Sequence, residues 1–171
     1  MCGVAFEHAE SVKMLIASGN FTSAIGLLRL QYEAFVKAVW LLYAAPDQSV
    51  TMLMSEFTQD NAKKTDNLPL LSEMLKNLDG KAPKEAMSPI LEFKENSWKP
   101  LSSYVHGGIH ALHRHSRGYP IPLLDQVLKA SNGLSVMGGM LLVVLSGDQT
   151  QSGRIRKINE EFLDCLPELK Q

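Results

Sequence analysis

The sequence predicts an all-α fold: a helical bundle of six to seven helices forming one domain over residues 1–171. Three observations lead there. Apolar residues recur at helical spacing along most of the chain. No stretch alternates apolar and polar residues as a half-buried strand would. The breaks between apolar segments fall at helix-stopping residues: Gly19-Asn20, Pro46, Gly80 and the Pro120/Pro122 pair. Hydrophobic residues make up 45% of the chain and charged residues 20%, the balance of a globular protein with a core. The formal net charge of -1 excludes a global attraction to nucleic acid or membranes, so a polyanion site would have to be a local patch. Cys2 and Cys165 lie at opposite ends without metal-type spacing, which points to a reducing cytoplasm. No basic region followed by an apolar run opens the chain. The longest apolar run, Met137 to Leu145, is shorter than the roughly 20 residues a bilayer span needs, so the expectation is no membrane and a buried bundle helix.

The elements follow in order. Val4 to Ser18 is predicted as an amphipathic helix with Val4, His8, Val12, Leu15 and Ile16 on one stripe. His8, on that apolar stripe, reads as a core histidine. Asn20 or Thr22 can cap the next helix, Phe21 to Ala45, which is apolar nearly all round and therefore central. Asp47 or Ser49 can cap a third, Val50 to about Lys64, with Leu53, Met54 and Phe57 as its contacts. A fourth runs from about Leu68 to Leu78, ended by Gly80. Lys81 to Ser88, with Pro83 and Pro89 close by, is the most loop-like stretch, and a short helix over Ile90 to Asn96 follows. Leu123 to Leu145 is a long apolar helix whose Gly133, Gly138 and Gly139 weaken helix propensity by about 1 kcal/mol each, which suggests close helix packing. Arg154 to Cys165 is a final helix with Ile155, Ile158, Phe162 and Leu163 inward, and its Arg154-Ile-Arg-Lys157 start reads as solvated.

Between Trp98 and Gly118 lie His106, His110, His113 and His115, four of the chain's five histidines, and no acidic residue occurs between Glu95 and Asp125. Placed on one helix at about 100° per residue, Lys99, Ser102, Ser103, His106, His110, His113 and Arg117 share a polar sector. Three readings stay open. The sector is a solvated face; or it is a phosphate or nucleic-acid site, with Lys99, Arg114 and Arg117 as a local cationic strip and His106 as general acid or base; or it is a metal site built on His106 and His110 at i, i+4. A second polar feature is Arg29-x3-Glu33 on the apolar helix. It is either an exposed i, i+4 ion pair or an inward pair, which would need further partners to offset its desolvation. A histidine on a facing helix is one such partner, and Tyr32 and Tyr104 can add hydroxyls.

The pairing of Leu27-Leu-Arg-Leu-Gln-Tyr-Glu33 with Leu101-Ser-Ser-Tyr-Val-His-Gly-Gly108 resembles the HEPN-like helical proteins (higher eukaryotes and prokaryotes nucleotide-binding), more narrowly bacterial members with an Arg-x3-Glu helix and a later Ser102-x3-His106-Gly-Gly segment. The resemblance implies a bundle that dimerises around the motif helix. It also implies, for many members, metal-independent ribonuclease activity in toxin–antitoxin, abortive-infection or CRISPR systems, with an arginine and a histidine acting on the RNA backbone. Other members are thought to be non-catalytic binding modules. This chain departs from the pattern: Lys99 stands where the arginine is expected, and Pro100 follows it. Lysine carries the charge without the bidentate fork, so the histidine carries over and the arginine does not, unless Arg29 substitutes across helices.

The resulting expectation is a HEPN-like cytoplasmic homodimer with a site made of His106, Ser103, Arg29 and Glu33. It binds or cleaves RNA or a nucleotide in a bacterial toxin or defence setting, with no cofactor, no metal and an antitoxin-type protein as a further partner. The alternatives are a non-enzymatic helical interaction module and a metal-binding helical protein using His106, His110 and Glu33.

Overall fold

The computed structural model describes residues 1–56, 58–65, 68–148 and 150–168. Among these it contains no strand and nine α-helices: α1 (Cys2–Ala17), α2 (Phe21–Tyr43), α3 (Asp47–Met54), α4 (Gln59–Thr65), α5 (Leu71–Leu78), α6 (Lys84–Val105), α7 (Ile109–Arg117), α8 (Ile121–Ser146) and α9 (Thr150–Glu161), followed by a 3₁₀ turn at Leu163–Cys165. The fold is all-α, as expected, with more and differently divided helices.

The core forms around α2. Its apolar composition leaves it no broad solvent face, and it packs against α1, α5, α6, α7 and α8. Tyr32, Val36 and Trp40 are fully buried along it. One polar clamp crosses this core. Gln31 Nε2 donates to the Ser131 carbonyl at 2.9 Å, and Ser131 Oγ donates back to Gln31 Oε1 at 2.7 Å. Both side chains are buried, so their mutual bonding removes a desolvation penalty while fixing the register of α2 on α8.

Several expected elements are corrected. In α1 the buried face is Ala5, Ala9 and Val12: Val12 lies on the expected stripe, but Ala5 and Ala9 replace Val4, which is exposed, and His8, which is half-buried. Small alanines let α1 lie close on α2. The expected helix from Val50 to Lys64 is two, α3 and α4, separated at Ser55-Glu56. Met54 is exposed, and Phe57 lies outside the described residues. Neither Asp47 nor Ser49 caps α3, whose N-cap is Pro46, and Asn20 makes no side-chain cap on α2. Of the expected loop over 81–88 only 81–83 lies outside a helix; the rest, with the expected short helix over 90–96, is part of the 22-residue α6, which contains both Pro89 and Pro100. Each proline deletes one intrahelical bond, to the carbonyls of Glu85 and Asn96. Both residues are exposed, so the loss of these bonds falls on the solvent side of the helix. Met87, Ile90 and Leu101 are buried on the opposite side and hold the helix in place.

In α8 the buried stripe is Val127, Ser131, Leu134, Gly138 and Leu141. The glycines sit where neighbours come close: a Cβ on Gly138 would meet the Phe6 ring at 3.3 Å, and one on Gly139 would meet Ile155 Cδ1 at 3.1 Å. The rest of α8 is not buried. Ile121, Met140, Leu142, Val144 and Leu145 are exposed, and by length and composition alone the 26-residue helix is apolar enough to cross a membrane. Of the four residues expected inward at the C-terminal end, Ile155 is half-buried, and Ile158, Phe162 and Leu163 are exposed, against expectation.

Candidate functional site

The polar cluster arises where the C-terminal half of α6 crosses the first half of α2, near Gly26 and Val105. Arg29 and Glu33 are one turn apart on α2. Trp98, Ser102 and His106 fall at i, i+4 and i+8 and so follow one seam of α6 into its C-cap. Crossing these two seams brings four side chains onto one guanidinium. Arg29 Nε donates to Glu33 Oε1 at 2.8 Å, and Nη1 donates to Ser102 Oγ at 2.9 Å and lies 3.4 Å from His106 Nε2. The guanidinium carbon sits 4.2 Å from the centroid of the Trp98 ring. The Arg29 side chain is 14% exposed and Glu33 36%, so the pair is neither fully solvated nor sealed. Stacking on a partly desolvated indole stabilises the cation by about 1 kcal/mol.

Trp98 is positioned from below. Tyr32 lies 6.2 Å from it edge-on and stacks on Phe93 at 4.5 Å, while its hydroxyl donates to the Ile90 carbonyl at 2.8 Å. Burial pushes the Tyr32 phenol well above its usual range, and its hydroxyl serves the core and not the site. Tyr104 is raised too, mainly by burial and then by Tyr119, with nearby Arg114 opposing.

His106 is exposed and marks the end of α6; it does not lie within a continuous helix. The expected ladder from Lys99 to Arg117 is therefore broken. Gly107 takes φ +64°, in the left-handed region where a side chain is strained. Gly108 must stay bare for a second reason: a Cβ there would lie 2.6 Å from Ser103 Oγ. The close approach at Gly108 is thus made by the chain itself. The Gly108 N–H donates to the Ser103 carbonyl at 2.7 Å, and the His110 N–H donates to Ser103 Oγ at 3.0 Å. Ser103 is committed to this turn.

Of the four candidate residues, Arg29, Glu33 and His106 converge, and Ser103 does not. Its neighbour Ser102 occupies the position beside the guanidinium. Trp98 was not among the candidates; its spacing of four from Ser102 and eight from His106 was the available signal. The break also parts His106 from His110, removing the i, i+4 relation on which a metal site depended. Among the described residues no three His, Cys, Asp or Glu side chains gather as a metal site would need. α7 continues the segment with exposed His110, His113, His115 and Arg117, and is tied down beyond its end by Tyr119, whose hydroxyl bonds Thr22 and whose ring lies 5.2 Å from Phe21.

Fold and cluster together define an all-α protein with an arginine-centred polar site on its central helix. The chain belongs to the family of unknown function DUF6988, whose model matches residues 2–168. No curated protein and no solved structure matches it.

Proposed function

We propose that this chain is a HEPN-like protein that acts on RNA, holding a backbone phosphate at Arg29 and cleaving beside it without a metal. The observation that supports this is the 3.4 Å approach of Arg29 Nη1 to His106 Nε2. It puts a guanidinium beside the motif histidine from the facing helix, where Lys99 alone offers no bidentate fork. With Nε on Glu33 and Nη1 shared by Ser102 and His106, Nη2 has no partner among the described residues and keeps two donors for phosphate oxygens.

In this reading His106 takes the proton of a ribose 2′-hydroxyl on Nε2, once Arg29 Nη1 has turned from that nitrogen to the phosphate. The 2′-oxygen attacks the adjacent phosphorus, and the bond to the 5′-oxygen breaks. The products are a 2′,3′-cyclic phosphate and a 5′-hydroxyl that takes its proton from water. Arg29 stabilises the charge gathering on the phosphoryl oxygens, and Ser102, Glu33 and Trp98 fix its orientation. The resemblance adds a cytoplasmic homodimer and a toxin–antitoxin setting, and light scattering of the purified chain checks the dimer.

The test is RNA cleavage in EDTA. Wild type gives fragments ending in 2′,3′-cyclic phosphate, and His106→Ala reduces the rate by about 100-fold or more. Equal rates in the two proteins would remove the catalytic assignment. A non-enzymatic interaction module is the second reading, favoured by the exposed apolar side of α8. It predicts no cleavage by either protein.

A further inference from the structure

Beyond His106 the chain turns at Gly107-Gly108 into α7, a helix only lightly attached to the rest. It touches α6 and α2, and its one buried residue is Ala111. At about 100° per residue, His113, Arg117, His110 and Arg114 occupy one continuous edge of α7. Ile109 and Leu112, 72% and 63% exposed, lie on the adjoining edge. No carboxylate occurs between Glu95 and Asp125, so nothing on α7 or its flanks neutralises this edge. No ion pair among the described residues involves Arg114 or Arg117. The first member, His110, is fixed in the turn that follows His106 by its N–H bond to Ser103 Oγ.

We infer that this edge of α7 is a track for the backbone of a single-stranded RNA whose reacting phosphate lies at Arg29, so that the substrate is an oligonucleotide and not a free nucleotide. The inference rests on the RNA reading above and adds the size and path of the ligand. From His110 to Arg117 the edge runs about 10 Å at the helical rise, room for about two phosphates of an extended single strand, whose spacing exceeds the roughly 3.4 Å axial rise of a stacked duplex strand. Neighbouring Ile109 and Leu112 give unstacked bases an apolar surface. A duplex does not suit the arrangement, because the cations follow one narrow helix edge and read one backbone.

The experiment is fluorescence anisotropy with a labelled oligouridylate octamer and a labelled dinucleotide, using wild type, Arg117→Glu and Arg29→Gln. Arg117 is exposed, so its substitution leaves the fold intact. The octamer is expected to bind wild type at least tenfold more tightly than the dinucleotide. Arg117→Glu should weaken the octamer by about tenfold, lower its salt slope by about one, and leave the dinucleotide unchanged. An octamer unaffected by Arg117→Glu but lost with Arg29→Gln would overturn the track and leave the RNA site standing. Insensitivity to both variants would remove the track and the RNA site together. A labelled polyglutamate bound as tightly as the octamer, and equally weakened by Arg117→Glu, would assign the edge to an acidic protein and overturn the inference.

Discussion

Arg29 gathers a carboxylate, a hydroxyl, an imidazole and an indole face, each at contact distance. Its fork is what makes this possible. A lysine offers one compact ammonium in place of separated N–H groups, and would not lie flat on Trp98. Arg29→Lys is therefore predicted to cost RNA cleavage about 100-fold while leaving the far-ultraviolet circular dichroism unchanged. Glu33→Gln tests positioning: the Nε bond weakens, and the loss should be smaller than for Arg29→Lys. Tyr32→Phe removes the donor to the Ile90 carbonyl and is predicted to lower stability by about 1 kcal/mol, read in a urea titration. Arg29, Glu33 and His106 were legible because spacing of four marks one helix seam. Ser102 and Ser103 differ by about 100° around the helix, and only the crossing of α6 on α2 decides which one meets the guanidinium.

At the scale of elements, the C-terminus of α6 decides where His106 points. Gly107 supplies the left-handed turn and Gly108 the close approach to Ser103. Gly108→Ala should destabilise the chain by about 2 kcal/mol, a clash cost within the usual range for overpacking, and displace His106. Thermal melting reads the first effect and the cleavage rate the second. The Gly-Gly pair was visible in the sequence, but uninterrupted helical periodicity across it hid the break. The prolines misled in the opposite sense. Pro83 and Pro89 argued for a loop, yet α6 starts after the first and passes through Pro89, and Pro100 as well, because the residues whose carbonyls lose a partner are exposed. At the start of α9, Asp148 accepts from the Thr150 N–H and hydroxyl and from Gln151 Nε2, which holds its carboxyl below the usual 3.8. A depressed folded-state value contributes stability above the unfolded-state value and loses it as pH falls through the folded one. The first turn of α9 should therefore fray on acidification below about pH 4; hydrogen exchange in that turn, unchanged with pH after allowance for the intrinsic rate, would contradict this.

For the whole molecule, the arrangement depends on α2, which carries Arg29 and Glu33 toward α6 and Gln31, midway between them in sequence, toward α8. The clamp to Ser131 holds the scaffold while the cluster faces solvent. Gln31→Leu leaves the Ser131 hydroxyl without its acceptor and should cost about 2 kcal/mol. Adding Ser131→Ala should recover part of that, a coupling that a double-mutant cycle measures. The central place of α2 was legible because it is apolar nearly all round. The same reasoning failed for α8, whose apolar residues are equally dense but whose Met140, Leu142, Val144 and Leu145 are exposed among the described residues. Composition records how apolar a helix is, not how many neighbours the chain supplies to cover it. The central claim is that Arg29 and His106 together grip an RNA phosphate. It is tested most directly by titrating isotope-labelled protein with an oligouridylate and following the Arg29 Nε–H and His106 ring resonances by NMR. Both should shift along one saturation curve, and Arg29→Gln should abolish the His106 response. Resonances at Arg29 and His106 that stay fixed while the RNA binds elsewhere would contradict the account.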